Sequence, residues 1–470
     1  MKKPIMAPTG LEVLDEIIGG FPRGGLITLA GNPGTGKSAF AATLIYNGIV
    51  KYNEPGVYAS FLEDEERFYE YMMNFGLDFK ILEDRKMFKY LSIPTLLEPG
   101  MSMSAAEIID AVESIGAKRL VIDSFTAMKQ MFKSPSESRV FLHSLLSRLA
   151  RQLDCTTILI KEVSRDESEY EYEDFISDGV IIFRRTKFED KLVREMNIVK
   201  MRGTEVKEQS ILFSLHKGFH LFKPIRISST HLKKRYEPPP DPEEGYTSGI
   251  QDLDEEIGGF PKGSIVLFEI DPKLTIYERI QVTSCIYVSY LKKRRPVIWL
   301  PSVRISLPYI HDFHKLFNIS SEIIDKYLIV LSDIEEKDTP SAYIQKIDLL
   351  DPGDFKEKIQ TISDKFMRTI GTPPLIILGV DKLAYRFREE MLDAVYFVTN
   401  LTKSLGGLSV WIHEPIYPWI IERISPLADF HFKLTKTLSR TVFYGVKPVT
   451  PLYVVEPVDD ERAVRLIPMV

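Results

Sequence analysis

The feature that most constrains the fold of this chain is an internal duplication. Residues 10–38, GLEVLDEIIGGFPRGGLITLAGNPGTGKS, align without a gap with residues 249–277, GIQDLDEEIGGFPKGSIVLFEIDPKLTIY. The recurring residues include Gly10 and Gly249, Leu14 and Leu253, Asp15 and Asp254, and the GGFP segments at 19–22 and 258–261. A period of about 240 residues is far longer than that of solenoid repeats, so the pattern predicts a duplicated domain.

A proline-rich segment lies between the two copies. Residues 233–246, KKRYEPPPDPEEGY, contain four prolines and change from basic to acidic. Consecutive prolines exclude helix and favour an extended spacer. We therefore expect a first domain at 1–230, a linker at 231–246 and a second domain at 247–470. The KKR run is interpreted as solvated linker, with a partner or nucleic-acid contact as the alternative.

Composition places the chain among soluble globular proteins. Hydrophobic residues make up 44% and charged residues 27%, and the net charge is −6. The two cysteines, Cys155 and Cys285, are far apart and form no CxxC pair. No apolar run is long enough to span a bilayer, and the N-terminus lacks a signal-peptide core. We expect a cytoplasmic protein, and the acidic balance disfavours nucleic acid as a partner.

The first copy contains a phosphate-binding loop. Residues 31–38, GNPGTGKS, follow an apolar run at 26–30 and precede a helical pattern at 39–52. A GxxxxGK[ST] motif between a strand and a helix predicts a nucleotide site. The candidate nucleotide-binding residues are Gly31, Asn32, Pro33, Gly34, Thr35, Gly36, Lys37 and Ser38.

The residue types in this loop suit ATP with Mg²⁺. The glycines let backbone N–H groups turn toward phosphate oxygens, and Lys37 supplies charge for the β and γ phosphates. The Ser38 hydroxyl is a candidate Mg²⁺ ligand. A second acid is needed for the metal, and the apolar run RLVIDS at 119–124 predicts a strand that ends in Asp123.

Hydrolysis also needs a group that activates water. The run VYASFL at 57–62 predicts a strand, and four carboxylates follow it: Glu63, Asp64, Glu65 and Glu66. Such residues are also typical of the first turn of a helix. The residues alone do not choose among them.

Several motifs together resemble the KaiC branch of the RecA superfamily. These are residues 9–38, VIDSFTAM at 121–128, FISDGVIIF at 175–183 and KMRGT at 200–204. The resemblance implies an α/β fold of two tandem RecA-like P-loop domains, each a mainly parallel twisted sheet flanked by helices. It also implies a homo-oligomeric ring, for example a hexamer, with ATP between neighbouring subunits.

The resemblance assigns roles to further residues. In that family the strand after the P-loop helix ends in two glutamates, the first of which activates water, but here these positions are Leu62 and Glu63. Glu63 is the candidate catalytic acid, and a weakened or merely nucleotide-binding domain is the alternative. Lys200 and Arg202 correspond to residues that reach the γ phosphate held by the neighbouring subunit.

The second copy has lost the phosphate-binding residues. Lys37 and Ser38 face Ile276 and Tyr277, and every glycine of the loop is replaced. PLIILGV at 374–380 still predicts a buried strand, ending near Asp381, whereas TVFYGVKPV at 441–449 has no KxR pair. We expect a shell without nucleotide that has a structural or protein-binding role. His311 and His314 are expected to serve packing rather than metal binding.

Three functions remain open from the sequence. The favoured one is a KaiC-like ATPase, slow and Mg²⁺-dependent, with a regulatory or signalling role. A nucleic-acid-dependent ATPase like RadA or DnaB is disfavoured, because KQMFKSPSESR at 129–139 is short and only modestly basic. A scaffold that holds ATP without turnover is the third, and Leu62 favours it.

Overall fold

A computed structural model describes residues 6–93, 101–130, 132, 134–151, 153–163, 172–223, 236–333, 342–415, 418–458 and 462–470. These residues divide into two compact units: the described residues of 1–224 and 469–470 form the first, and those of 225–468 form the second. Part of the expected linker, 231–235 with its KKR run, lies outside the described residues, as do residues 131 and 133 of the segment at 129–139.

The described helices of the first unit are α1 (Glu12–Ile18), α2 (Lys37–Tyr52), α3 (Glu65–Asn74), α4 (Phe79–Asp84), α5 (Met101–Ile115), α6 (Phe125–Lys129), α7 (Pro135–Arg151) and α8 (Tyr172–Ile176). Its strands are β1 (Met6–Ala7), β2 (Phe21–Pro22), β3 (Leu26–Gly31), β4 (Gly56–Ser60), β5 (Phe88–Ser92), β6 (Arg119–Asp123), β7 (Thr156–Glu162), β8 (Gly179–Phe188), β9 (Lys191–Met201), β10 (Ser210–Ser214) and β11 (His220–Leu221).

The central sheet of the first unit has, within its described residues, nine strands in the order β11-β10-β9-β8-β3-β7-β6-β4-β5. The six strands from β8 to β5 are parallel, and β9, β10 and β11 extend the sheet with antiparallel pairs. Every residue of β3 is buried, as expected for a parallel strand covered on both faces. Separate apolar clusters cover the two faces.

The strands described in the second unit are β12 (Gly245–Tyr246), β13 (Phe260–Pro261), β14 (Ser264–Ile270), β15 (Val297–Leu300), β16 (Leu328–Ser332), β17 (Ile344–Lys346), β18 (Leu375–Gly379), β19 (Leu408–His413), β20 (Phe430–Thr437), β21 (Arg440–Lys447), β22 (Tyr453–Pro457) and β23 (Val464–Pro468). Its helices are α9 (Gln251–Ile257), α10 (Ile276–Lys292), α11 (Leu307–Leu316), α12 (Ser321–Tyr327), α13 (Pro352–Thr369), α14 (Val380–Phe387), α15 (Met391–Leu405) and α16 (Pro418–Ile424).

The second unit repeats the topology of the first. Its described strands form a ten-stranded sheet in the order β17-β16-β15-β18-β19-β14-β20-β21-β22-β23, again parallel up to β20 and antiparallel beyond it. Two mainly parallel sheets flanked by helices confirm the expected fold class. Among the described residues, no helix has the length and apolar character needed to cross a membrane.

Strand ends differ slightly from the sequence expectations. The strand expected at 57–62 ends at Ser60, so Phe61 and Leu62 lie in the turn that follows it. The strand expected at 374–380 ends at Gly379, and Val380 already begins α14. The P-loop strand and helix were predicted correctly to within two residues at each end.

Candidate active site

The loop between β3 and α2 is shaped by its glycines. Gly31 has φ 154°, and a Cβ there would lie 2.4 Å from the Phe183 carbonyl oxygen of the adjacent strand. Gly36, the residue before α2, is left-handed with φ 102°. These conformations suit glycine and strain other residues, so backbone N–H groups can line the loop at the positive end of the α2 dipole.

Lys37 is the first residue of α2, and its side chain folds over the loop. Its Nζ donates to the carbonyls of Gly31 (2.7 Å) and Asn32 (2.9 Å), and the residue is 6% exposed. Burial lowers the pKa of Lys37, while the nearby carboxylates of Glu162 and Asp123 act in the opposite direction. The ammonium group therefore lies among loop carbonyls with two carboxylates close by.

Asp123 and Ser38 converge on one buried tyrosine. The Tyr58 hydroxyl donates to Asp123 Oδ2 at 2.6 Å, and Ser38 is a hydrogen-bonding neighbour of the same hydroxyl. Burial, with the Asp123 charge, raises the pKa of Tyr58 well above its ordinary value, so the hydroxyl stays a donor. A serine hydroxyl and a carboxylate at one place are oxygen ligands of the kind Mg²⁺ prefers, and this donor set fits the ion.

Glu63 is held by its backbone and leaves its carboxylate available. Its N–H donates to Ser60 Oγ (3.0 Å), and its carbonyl accepts from the Tyr90 hydroxyl (2.9 Å). Partial desolvation, together with the carboxylates of Asp123 and Asp64, raises the pKa of Glu63. Asp64, in contrast, caps α3 by accepting from the Arg67 N–H. The carboxylate of Asp123 is thus close enough to Glu63 for its charge to act on the Glu63 carboxylate.

Sequence reasoning missed Glu162. It ends β7 and is the register partner of Gly31, so it lies beside the start of the loop. Its N–H donates to Thr126 Oγ1 at 2.9 Å, and its charge influences Lys37. The signal was available in principle, because Glu162 is the first carboxylate after the buried run TTILIK, and parallel strands end at one edge of a sheet.

Lys200 and Arg202 lie near the amino ends of the parallel strands, whereas the loop lies at their carboxyl ends. Lys200 pairs with Val180 near the start of β8, and the Arg202 N–H donates to the Asp178 carbonyl (2.7 Å). The Asp178 N–H in turn donates to Leu26 at the start of β3. Five residue steps of β3 separate Leu26 from Gly31, roughly 16 Å of strand. That is longer than an arginine side chain, so Arg202 cannot reach the loop of its own chain.

Strand register shows which residue of the second unit is equivalent to Asp123, the candidate metal ligand. Ile265 is equivalent to Leu26; it pairs with Ser409 as Leu26 pairs with Thr157. The next strand over then matches Gly379 to Asp123. A Cβ at Gly379 would lie 2.5 Å from Ser302 backbone atoms, so no side chain fits there. The equivalent of Asp123 is thus Gly379, and Asp381 lies two residues further, in α14.

The former phosphate loop of the second unit is closed by its own side chains. Thr275 stands where Gly36 does, and it forms a reciprocal capping box with Glu278 that occupies N–H groups at the start of α10. Arg279 Nε donates to the Leu274 carbonyl at 3.1 Å and its guanidinium bonds Glu414. Arg304 also contacts Glu414, at 3.3 Å. The loop is therefore held by an ion cluster around the buried Glu414.

The late strand of the second unit keeps only half of the cation pair. By register, Lys447 pairs with His431 as Lys200 pairs with Val180. Two residues further, where the first unit has Arg202, the second has Val449, which is 76% exposed. The expected lack of a KxR pair therefore reflects loss of the arginine.

The two histidines of α11 contact tyrosines. The buried His314 bonds the Tyr287 hydroxyl, and His311 Nδ1 lies 2.9 Å from the Tyr343 hydroxyl. Burial lowers the pKa of His314 to about 4, so its ring is neutral. These contacts account for both residues through packing.

The first unit is a P-loop nucleoside-triphosphate-binding domain of the RecA type, since the loop, Lys37 and Asp123 converge at the carboxyl edge of a mainly parallel sheet. Residues 7–220 match the model of the family described as "ATPase: KaiC". The first unit is therefore a KaiC-like ATPase domain of the RecA superfamily.

Two curated proteins and one solved structure are similar to part of this chain. The circadian clock oscillator protein KaiC of Parathermosynechococcus lividus is 33% identical over 272 residues, 55% of this chain and 49% of that protein. KaiC of Synechococcus elongatus is 31% identical over 274 residues. The chain thus spans about half the length of the curated relatives it matches. A solved KaiC-like protein from Pyrococcus horikoshii OT3 is 32% identical, covering 47% of this chain and 99% of that one, with a TM-score of 0.42.

Proposed function

We propose that the chain is a cytoplasmic regulatory protein that hydrolyses ATP slowly with Mg²⁺. The first domain, 1–230, carries the phosphate-binding loop at 31–38, here called the cradle, and the acidic residues of each site. A neighbouring copy supplies Lys200 and Arg202. The second domain, 247–470, binds no nucleotide and serves as a structural or protein-binding shell. The subunits form a closed homo-oligomer, for which we propose a ring such as a hexamer.

The separation of Arg202 from its own P-loop carries this proposal. Arg202 and Lys200 lie at the amino ends of the parallel strands, whereas Gly31 and Lys37 lie at the carboxyl ends. Beside the cations, Phe175 is 65% exposed and Val199 43% exposed. Cations with adjacent apolar residues suit contact with another copy of the chain. A head-to-tail contact of this kind joins the cation edge of one subunit to the loop edge of the next and closes into a ring.

The chain's own residues provide the groups that phosphoryl transfer requires. Bound Mg²⁺, held by Ser38 and Asp123, would neutralise charge on phosphate oxygens. Lys37 and the loop N–H groups orient the triphosphate. The raised pKa of Glu63 brings this carboxylate nearer the range in which it can accept a proton from water. Leu62 is 63% exposed and has no acid group, so Glu63 alone serves in this role and turnover is slow.

The closed loop supports a shell role for the second domain. Its capping box and the cluster of Arg279, Arg304 and Glu414 occupy the positions at which a triphosphate would need donors. Two clusters of buried apolar residues pack in this unit. A scaffold function without turnover remains the competing proposal, favoured by the exposed Leu62. A nucleic-acid-dependent ATPase is less well supported, since the net charge is −6.

Mixing two defective variants tests the shared site. Lys37→Ala removes the cradle and Arg202→Ala removes the cation given to the neighbour, so each alone should release little phosphate. After subunit exchange the mixture should regain activity, because roughly a quarter of random interfaces then pair an intact cradle with an intact arginine. Light scattering with and without ATP checks assembly. A mixture no more active than its parts would reject the shared site, and a wild type that binds ATP without releasing phosphate would favour the scaffold.

A further inference from the structure

Lys200 and Arg202, the two cations proposed to reach the neighbouring site and here called the finger residues, are held by carbonyls of the short helix α8. Lys200 Nζ donates to the carbonyls of Asp174 (3.1 Å) and Phe175 (3.0 Å). Arg202 Nη2 donates to the Phe175 carbonyl at 3.4 Å, and Nη1 contacts Asp178 Oδ1 at 3.3 Å. The place and direction of both cations therefore depend on where α8 lies.

Buried charges fix α8. Lys161 Nζ lies 2.7 Å from Asp174 Oδ2 and 3.8 Å from Glu173 Oε1, and Lys129 Nζ lies 2.6 Å from the same Glu173 oxygen. Asp174 is 6% exposed and Lys161 6%. A helix of five residues has little stability of its own. Buried ion pairs are costly to desolvate and add little net stability, so their better-attested use is to specify one arrangement.

The ion pair of Lys161 and Asp174 also connects the carboxyl ends of the parallel strands to the region of their amino ends. Lys161 belongs to β7, where it is the register partner of Ala30, next to Gly31 at the start of the P-loop. Asp174 belongs to the helix that leads into Asp178 and the start of β8, at the edge where Arg202 lies. The next residue of β7 is Glu162, whose charge acts on Lys37. One ion pair thus connects the strand beside the cradle to the support of the finger residues.

The second unit offers an internal comparison. By register, His413 takes the place of Lys161, since it pairs with Glu269 as Lys161 pairs with Ala30. Ser425 takes the place of Asp174, because Asp429 accepts from Ile265 as Asp178 accepts from Leu26. Among the described residues, neither ring nitrogen of the buried His413 has a hydrogen-bond partner. Lys447 donates instead to the Ala428 carbonyl. The half that lost the finger arginine has also lost the ion pair.

We infer that Lys161 and Asp174 are positioning residues for the site of the neighbouring subunit: their ion pair sets α8 so that its carbonyls present Lys200 and Arg202 outward. This inference rests on the proposed shared site. It states that Lys161 and Asp174 support the finger residues and not the cradle of their own chain. A complementation experiment can distinguish these two roles.

The experiment uses Asp174→Asn in the full-length chain, with phosphate release measured after subunit exchange. Asn keeps the size of the side chain and removes its charge. Alone, the variant should bind ATP like wild type and turn over roughly 10- to 100-fold more slowly, the scale of a misplaced catalytic group. Mixed with Lys37→Ala it should regain activity, because Lys37→Ala subunits bring intact fingers. Mixed with Arg202→Ala it should regain none, because both chains then have defective fingers.

Glu54→Gln is the matched control. Glu54 also forms a buried ion pair in the first unit, with Arg119 at 2.7 Å, but at the amino end of β6 and away from α8. It should lose stability without behaving as a finger variant. Lys161→Met tests the pair from the other side and should fall in the same complementation class if Asp174→Asn fails to fold.

The outcomes separate the two ideas. If Asp174→Asn regains activity with Arg202→Ala and not with Lys37→Ala, the pair serves its own cradle and the inference is wrong. Equal behaviour with both partners, or wild-type turnover alone, also overturns it. If Lys37→Ala and Arg202→Ala fail to complement each other while wild type is active, the shared site itself has failed and the inference falls with it.

Discussion

The Tyr58 hydroxyl donates a 2.6 Å hydrogen bond to Asp123 Oδ2 from the neighbouring strand. Tyr58 lies in β4 and Asp123 ends β6, and the two strands pair in parallel. The bond fixes one carboxylate oxygen and leaves the other for a ligand. A buried tyrosine thus orients the carboxylate that is the candidate metal ligand.

Removing this hydroxyl should weaken the metal site more than the fold. In Tyr58→Phe we expect the Mg²⁺ concentration for half-maximal phosphate release to rise roughly 10- to 100-fold, the usual effect of losing a group that orients a ligand. Tyr69→Phe is the control, because its hydroxyl bonds Glu65 and Glu83 outside the site. An Mg²⁺ titration of both variants decides. Equal curves for Tyr58→Phe and wild type would mean that Asp123 needs no such support.

The loop, Lys37, Ser38 and Asp123 could be proposed as site residues from the sequence, because a Gly-rich motif and a buried strand ending in an acid are local patterns. It could not supply Tyr58 or Glu162, whose roles arise from strand order. Tyr58 reads as an ordinary residue of a buried strand, and Glu162 reaches Gly31 only because β7 pairs with β3. The residues alone did not choose between Glu63 and Asp64. The family resemblance favoured Glu63, and the structure adds that Asp64 caps α3.

Glu63→Gln should leave ATP binding near normal and lower phosphate release by about 10² to 10⁴, the range for losing a general base. Glu66→Gln, in the first turn of α3, is the control, because it also removes one negative charge but at a residue that is not the candidate base. Single-turnover phosphate release with saturating ATP measures the step. If both variants turn over like wild type, water activation does not use these carboxylates. That result would favour the alternative that the domain is weakened or only binds nucleotide.

The acid limb of the pH profile, the pH range in which turnover falls on the acid side, should depend on the charged residues around Glu63, because they change its pKa. Its carboxylate is the active form, and its pKa is raised, so turnover should fall as the pH drops through a value above that of an ordinary glutamate. Asp64→Asn removes a charge that raises this pKa, so the limb should shift to lower pH, while Asn still caps α3. Arg67→Gln removes a charge that lowers it and should shift the limb the other way. Shifts of the same sign in both variants would contradict the assignment.

The second unit shows where sequence patterns stop. Loss of the loop glycines predicted an empty site, but the closure by Thr275, Glu278 and Arg279 depends on side chains meeting across the fold. Likewise the sequence placed the end of the strand only near Asp381, and strand register then identifies Gly379, two residues earlier, as the equivalent of Asp123. Once buried in α14, Asp381 becomes a liability for stability instead of a metal ligand.

Asp381 should make the second unit less stable as the pH rises. Burial raises its pKa from 3.8 to about 6, so the folded state holds the proton more tightly than the unfolded chain. The stability present below pH 4 is then lost between pH 4 and 6, by about 3 kcal/mol. Asp381→Asn, which can still accept from the Val303 N–H, should flatten this slope, whereas the exposed Asp312→Asn should not. Urea unfolding at pH 4 to 8 measures it through tryptophan fluorescence, since Trp299, Trp411 and Trp419 all lie in this half.

The Arg279 and Glu414 pair gives the clearest test of how the second unit closes its loop. The side chains are 7% and 2% exposed, and Glu414 also accepts from Arg304. Glu414→Gln leaves the Arg279 charge buried beside a neutral partner, which should cost about 3 to 5 kcal/mol. Replacing both, as Arg279→Met with Glu414→Leu, should recover most of that loss because no buried charge stays unpaired. The same fluorescence-detected urea unfolding compares the two variants, and the first unit's phosphate release shows whether its site is disturbed. A double variant as unstable as Glu414→Gln would mean that the cluster stabilises the loop through the hydrogen bonds that Arg279 donates to the Leu274 and Pro272 carbonyls rather than through charge neutrality.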